Sequence, residues 1–161
     1  MRLLIFITLA LSVGCVGEPE LGDPQVEGVC VSDALLVFDG GGSGNARSSL
    51  DLGRLNLDLG LAAGSRVTLR SAVLSAGEGI TDFRFAERMR VELMPGNQPA
   101  VALAEVFVSS NAISVNLGGN PDLDLAGYLG TDPEVAVDIA GDVPEQRWSV
   151  VMDLCFDLES P

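Results

Sequence analysis

Two stretches of this sequence hold side chains that could do chemistry. The first is Asp39-Gly40-Gly41-Gly42-Ser43-Gly44-Asn45. Asp39 and Asn45 bring hard oxygen donors to a glycine-rich backbone, a composition that suits Ca²⁺. The segment lacks the alternating acids and closing Glu of a helix-loop-helix calcium site. It has no Lys and no following helix, so it is not a phosphate loop. The second runs from Asp122-Leu123-Asp124 through Asp132, Glu134 and Asp138 to Asp142. Carboxylates meeting at one end of a folded domain could also hold Ca²⁺. Against this, Asp122 and Asp124 share one face of an extended chain and Asp138 alternates with Val137 and Ile139, the pattern of solvated strand faces. A flexible hairpin tip is the simpler reading of the glycine-rich loop.

Much other chemistry is excluded by residue type. The 161-residue chain has no His, and all 9 of its bases are Arg. Without His there is no Ser-His-Asp machinery and no imidazole-ligated metal. Without Lys there is no Schiff base. A net charge of −14 argues against nucleic acid, whose phosphates need a basic footprint. A hydrolase working with carboxylates alone remains conceivable, but such an enzyme needs a cleft, and aromatics to line one are scarce at 5 %. Trp148 falls on the apolar face of its segment and reads as core. Tyr128, in Ala126-Gly127-Tyr128-Leu129-Gly130, is the candidate for an exposed ligand contact.

These side chains must be positioned by strands. Hydrophobic residues make up 47 % of the chain, enough for one packed domain. Apolar and polar residues alternate over Val29 to Phe38, Leu50 to Leu59, Arg66 to Leu74 and Arg88 to Met94. They alternate again over Val101 to Val108, Ala112 to Leu117, Glu134 to Ile139 and Arg147 to Leu158. Period two marks half-buried strands. In the last run Trp148, Val150, Met152, Leu154, Phe156 and Leu158 share one face. Gly- and Pro-rich turns separate the runs. The expectation is an all-β protein, an antiparallel β-sandwich of seven or eight strands, with immunoglobulin-like topology as the default. Helix is expected only as single turns, near Asp82 to Glu87 and Asp124 to Leu129. Seven Arg lie between Arg47 and Arg90 with only five acids; twelve acids and one Arg, Arg147, follow Glu92 onward. Arginine strands should therefore pair with acidic ones.

The first residues concern destination. Met1-Arg2 precedes eleven uncharged, almost wholly apolar residues, Leu3 to Val13. That run is too short for a bilayer and has the length of a secretory h-region. Leu11-Ser12-Val13-Gly14-Cys15 resembles the lipobox of bacterial lipoproteins, with Ser12 where that motif usually has Leu. The resemblance implies a signal peptide over 1–14, cleavage before Cys15, and lipid on Cys15. It also implies anchorage in the bacterial cell envelope. Val16 rather than Asp after the cysteine implies the outer membrane. Residues 15–27 read as the lipidated Cys and an acidic Gly/Pro tether, and 28–161 as the sandwich domain. An odd number of cysteines in an exported chain is then explained: Cys15 is acylated, and Cys30 and Cys155, in the first and last strands, form a disulfide. By period the bridge lies on an outer face. The expected role is non-catalytic: a membrane-anchored binding or structural protein with a protein partner. A calcium-dependent ligand or carbohydrate-binding module, using Asp39, Asn45, Asp122 and Asp124, is the alternative. The carboxylate-only hydrolase comes after it.

Overall fold

The structure is a computed structural model that describes residues 26–52, 63–96, 98–108, 111–129 and 133–161. The expected signal peptide, Cys15 and nearly all of the expected tether lie outside the described residues. So does Asp132. Among the described residues there are eight strands: β1 (Val26–Phe38), β2 (Ser43–Asp51), β3 (Arg66–Ala76), β4 (Ala86–Met94), β5 (Val101–Phe107), β6 (Ser114–Gly118), β7 (Glu134–Asp142) and β8 (Trp148–Glu159). One helical turn, α1 (Ala126–Leu129), precedes β7. The strands form two four-stranded antiparallel sheets, ordered β1-β8-β3-β6 and β2-β7-β4-β5.

The pairing has a simple logic. β1 pairs with β8, β2 with β7, β3 with β6, and β4 with β5. The chain is thus one long hairpin of four strand pairs. Rolling it up adds the pairings β3 with β8 and β4 with β7 and splits the ribbon into two layers. This is the eight-stranded double Greek key of a jelly roll. The immunoglobulin-like default is therefore corrected. An immunoglobulin sandwich does not set its first strand against its last in this way. Alternation determines which face of a strand is buried but not which edges meet.

The inward faces fill the space between the sheets. Leu36, Phe38, Leu74, Met89, Leu93, Leu103, Leu117, Ile139, Trp148 and Phe156 are all buried. In the β1-β8-β3-β6 sheet two bulges keep the faces in phase. In β1, Val29 and Val31 lie opposite the inward Phe156 and Leu154, whereas Ala34, Leu36 and Phe38 carry the inward face afterwards. Between them Ser32 and Asp33 stand against the single residue Asp153, one residue more than the partner strand. A slip of one residue would turn the rest of the strand inside out, and the bulge absorbs it. Asp33 adopts a left-handed φ of 61°, and its N–H donates to Asp153 Oδ1 at 2.8 Å. A second bulge at Arg70 and Ser71 does the same in β3.

Outward faces carry the charge. Arg47, Asp138, Arg90 and Glu105 stand in one row across β2, β7, β4 and β5. Arg47 reaches Asp138 at 2.6 Å and Glu92 at 3.1 Å, and Arg90 reaches Glu92 at 2.7 Å. On the other sheet, Arg70 bonds Asp157 over Gly28, where a Cβ would stand 2.6 Å from the guanidinium. The expected pairing of arginine strands with acidic ones is what the structure shows. Cys30 lies directly opposite Cys155, and they are bridged on the outer face of β1 and β8.

Further details differ from expectation. The described second strand is Ser43–Asp51, which meets the expected run Leu50 to Leu59 only at Leu50 and Asp51; residues 53–59 fall outside the described residues. Ser43 to Ser49 has weak strand propensity and is held as an edge strand by β7. Asn45 is therefore a strand residue, and the glycine-rich link is a crossover between sheets rather than a hairpin tip. β1 opens at Val26, two residues inside the expected tether. The segment near Asp82 is a turn, closed by Ala86 N–H to the Phe83 carbonyl at 3.0 Å, and only the second expected helical turn forms.

Candidate functional site

The sandwich has two unlike ends. The described chain begins at Val26 and finishes at Pro161 at one end, since Val26 lies opposite Glu159. This entry end also carries α1. The opposite, distal end is built, among the described residues, by 39–42, 77–85, 108, 111–113 and 143–147. Backbone bonds join these distal segments. Gly41 N–H donates to the Pro144 carbonyl at 3.2 Å, Phe83 N–H to Ala112 at 2.9 Å and Asp142 N–H to Phe85 at 3.0 Å. Ser149 and the Glu78 turn exchange bonds: Ser149 N–H to the Glu78 carbonyl at 2.9 Å, and Glu78 N–H to Ser149 Oγ at 2.8 Å. Gly40 is required here, because a Cβ would lie 1.9 Å from the Glu145 carbonyl oxygen. Gly79 holds φ at +82° against Arg147 and Trp148.

An aromatic cluster stiffens this end. Trp148 stacks on Phe38, with centroids 4.1 Å apart, and Phe85 meets its edge at 5.2 Å. Such contacts add about 0.5–1.5 kcal/mol each beyond area burial. Trp148 is core, as its alternation indicated. Its indole Nε1–H is buried with no hydrogen-bond partner among the described residues.

Two recesses open at the distal end. One, of about 300 Å³, is lined by Leu35, Val37, Glu78, Arg147 and Trp148. The other, of about 230 Å³, is lined by Gly79 to Asp82, Arg84 and Phe85. In the second, the Arg84 guanidinium grips Asp82 at 2.5 and 2.8 Å, and the Arg84 backbone N–H adds a bond at 3.0 Å. The side-chain bonds from Arg84 first, and then its backbone N–H, hold the Asp82 carboxyl down at about 2. Leu35, Phe107 and Ile113, the exposed large hydrophobic residues among those described, also lie toward this end. Of the seven described arginines, six are ion-paired. Arg147 is exposed and has no partner among the described residues.

The sites expected from sequence are dispersed. Asp39 is exposed after β1 at the distal end, and Asn45 lies opposite Ala140. Asp122 and Asp124 stand at the entry end and do not meet Asp39. Asp122 N–H donates to Asn120 Oδ1 at 3.0 Å. Asp124 Oδ1 accepts from Ala126 N–H at 3.0 Å and Val67 N–H at 3.1 Å, and these bonds hold its carboxyl below the usual range. It fastens α1 to β3. Asp138 is engaged with Arg47, and Glu134 accepts from Ser49 Oγ at 2.9 Å. Among the described residues, no three acidic or cysteine side chains gather as a cation site. Tyr128, the candidate for a ligand contact, is half-buried and packs against the core. Each recess has a single carboxylate in its lining, Glu78 or Asp82, so neither offers the paired acids of a glycoside hydrolase.

Sequence reasoning did not single out Leu35, Glu78 or Arg147. Arg147 left a trace as the lone base among twelve acids. Leu35 left one too, as an apolar residue out of phase in β1.

No protein-family model and no curated protein matches the chain. Solved structures are distantly similar. A decameric BFDV capsid protein is 11 % identical, over 85 % of this chain and 100 % of that one, with a TM-score of 0.43. Desmodium yellow mottle tymovirus is 14 % identical, over 96 % and 95 %, with a TM-score of 0.35. A structure of carbohydrate-binding modules of the β-sandwich superfamily, described for promiscuous specificity, is 12 % identical, over 79 % of this chain and 51 % of that one, with a TM-score of 0.36. Nothing about ligand or role is taken from them.

Proposed function

We propose that this chain is a lipid-anchored lipoprotein of the bacterial cell envelope whose β-sandwich is a non-catalytic binding module. Cys15 carries the lipid. Val16 directs the protein to the outer membrane. Ten residues separate Cys15 from Val26, and fully extended they reach at most about 35 Å. The entry end therefore faces the bilayer, and the acidic tether is repelled from anionic headgroups. The distal end points away. The observation that carries the reading is this polarity: the strand to which the tether connects starts at one end, while both recesses and the exposed Leu35, Phe107 and Ile113 lie toward the other. Connecting segments carried on a rigid scaffold are where binding residues concentrate. The Cys30–Cys155 bridge suits an oxidising compartment.

The test is metabolic labelling of the full chain with radioactive palmitate in a Gram-negative host, followed by membrane fractionation. The wild type is expected to take up label and sediment with outer membranes. The Cys15→Ala variant is expected to do neither. Label that survives Cys15→Ala, or a wild type found only in the soluble fraction, overturns the anchored reading.

A further inference from the structure

We propose that the distal recess of about 300 Å³ binds an α-amino or α-amido carboxylate with a branched apolar side chain. This names the ligand class of the binding end proposed above and rests on that reading.

The argument starts from charge. In a chain with net charge −14, an arginine finds a carboxylate easily, and six of the seven described arginines have one. Arg147 does not. It stands at the rim of a recess whose lining includes Leu35 and Val37. Leu35 is 57 % exposed, although burying such a side chain is worth about 1.5–3 kcal/mol. A free guanidinium presents a planar fork of donors that matches a carboxylate two-to-two. The apolar pair beside it suits the side chain of the same ligand.

Glu78 narrows the class. It lies in the same lining and would repel a bare anion such as sulfate. It would accept a hydrogen bond from an N–H or ammonium placed next to the carboxylate. The Glu78 turn is pinned to Ser149 by bonds of 2.8 and 2.9 Å, so this acceptor is carried on a fixed backbone. The volume sits at the small end of ligand pockets, which fits a single residue rather than an oligomer. Two sources share this chemistry: a free apolar amino acid and the carboxyl terminus of a peptide.

The experiment is a ¹H–¹⁵N NMR titration of the oxidised protein with L-leucine, N-acetyl-L-leucine and L-leucinamide. L-leucine or N-acetyl-L-leucine is expected to cause saturable shifts confined to residues 35–37, 78 and 147–148, complete by about 10 mM for so small a ligand. L-leucinamide, without a carboxylate, is expected to cause none. Arg147→Gln should weaken binding at least tenfold with an unchanged spectrum elsewhere. Glu78→Gln should weaken L-leucine more than N-acetyl-L-leucine. Binding of L-leucine alone identifies a free amino acid, and equal or tighter binding of N-acetyl-L-leucine identifies a chain terminus. Absence of localised shifts with both, equal response to L-leucinamide, or shifts that persist in Arg147→Gln overturns the proposal. The palmitate experiment addresses the anchor alone, so the two can fail separately.

Discussion

Removing the disulfide should be the most damaging outward-facing change in the molecule. Cys30 and Cys155 are separated by 125 residues, so the bridge closes nearly the whole domain into one loop. In the chain-entropy treatment, a loop of that size restricts the unfolded ensemble by about 5 kcal/mol at 25 °C. The native side of the balance is small. The two residues face each other on the outside of β1 and β8, so Cys30→Ser with Cys155→Ser opens no cavity and strands no buried polar group. The expected loss is therefore about 5 kcal/mol, a large part of the roughly 5–15 kcal/mol that holds a domain together. For a domain this size it is a fall of about 10–20 °C in Tm. Urea titration of the oxidised wild type and the double variant measures it directly. The m-value should rise in the variant, because an uncrosslinked unfolded chain exposes more surface. A loss under about 1 kcal/mol with an unchanged m-value would refute the reasoning, because the two cysteines would then not be constraining the unfolded state.

Other substitutions test single contacts. Gly40→Ala places a Cβ 1.9 Å from the Glu145 carbonyl, whereas Gly41→Ala meets nothing within 4 Å; thermal melting should show a loss above about 1 kcal/mol for the first and almost none for the second. Asp124→Ala removes the acceptor that ties Val67 and Ala126 together and should cost about 0.5–2 kcal/mol in urea, as a lost cap does. Acid should weaken the fold through Asp82. Its carboxyl is held at about 2 against an ordinary 3.8, so its contribution is complete above about pH 4 and is lost as pH falls through 2; acid titrations of wild type and Asp82→Asn should converge at the low end. Phe38→Ala, which strips the ring stacked on Trp148, should cost about 3–5 kcal/mol and shift the tryptophan emission.

The architecture was largely legible because a strand buried on one face must alternate. The run from Trp148 to Leu158 and the Arg66 to Leu74 run announce themselves in this way, and the bridge between Cys30 and Cys155 followed from their places in the first and last strands. Pairing of arginine strands with acidic ones was legible from the uneven distribution of charge. Residues such as Ser43, Asn45 and Ser49 gave no such signal, because edge strands are held by a partner's backbone rather than by their own side chains. Alternation is a local property, written in each segment separately. Strand order, the phase shifts at Asp33 and Arg70, the distance between Asp39 and Asp124, and the meeting of Arg147 with Leu35 and Glu78 depend on how the long hairpin rolls upon itself. That rolling joins residues more than a hundred positions apart, and only the tertiary structure decides it.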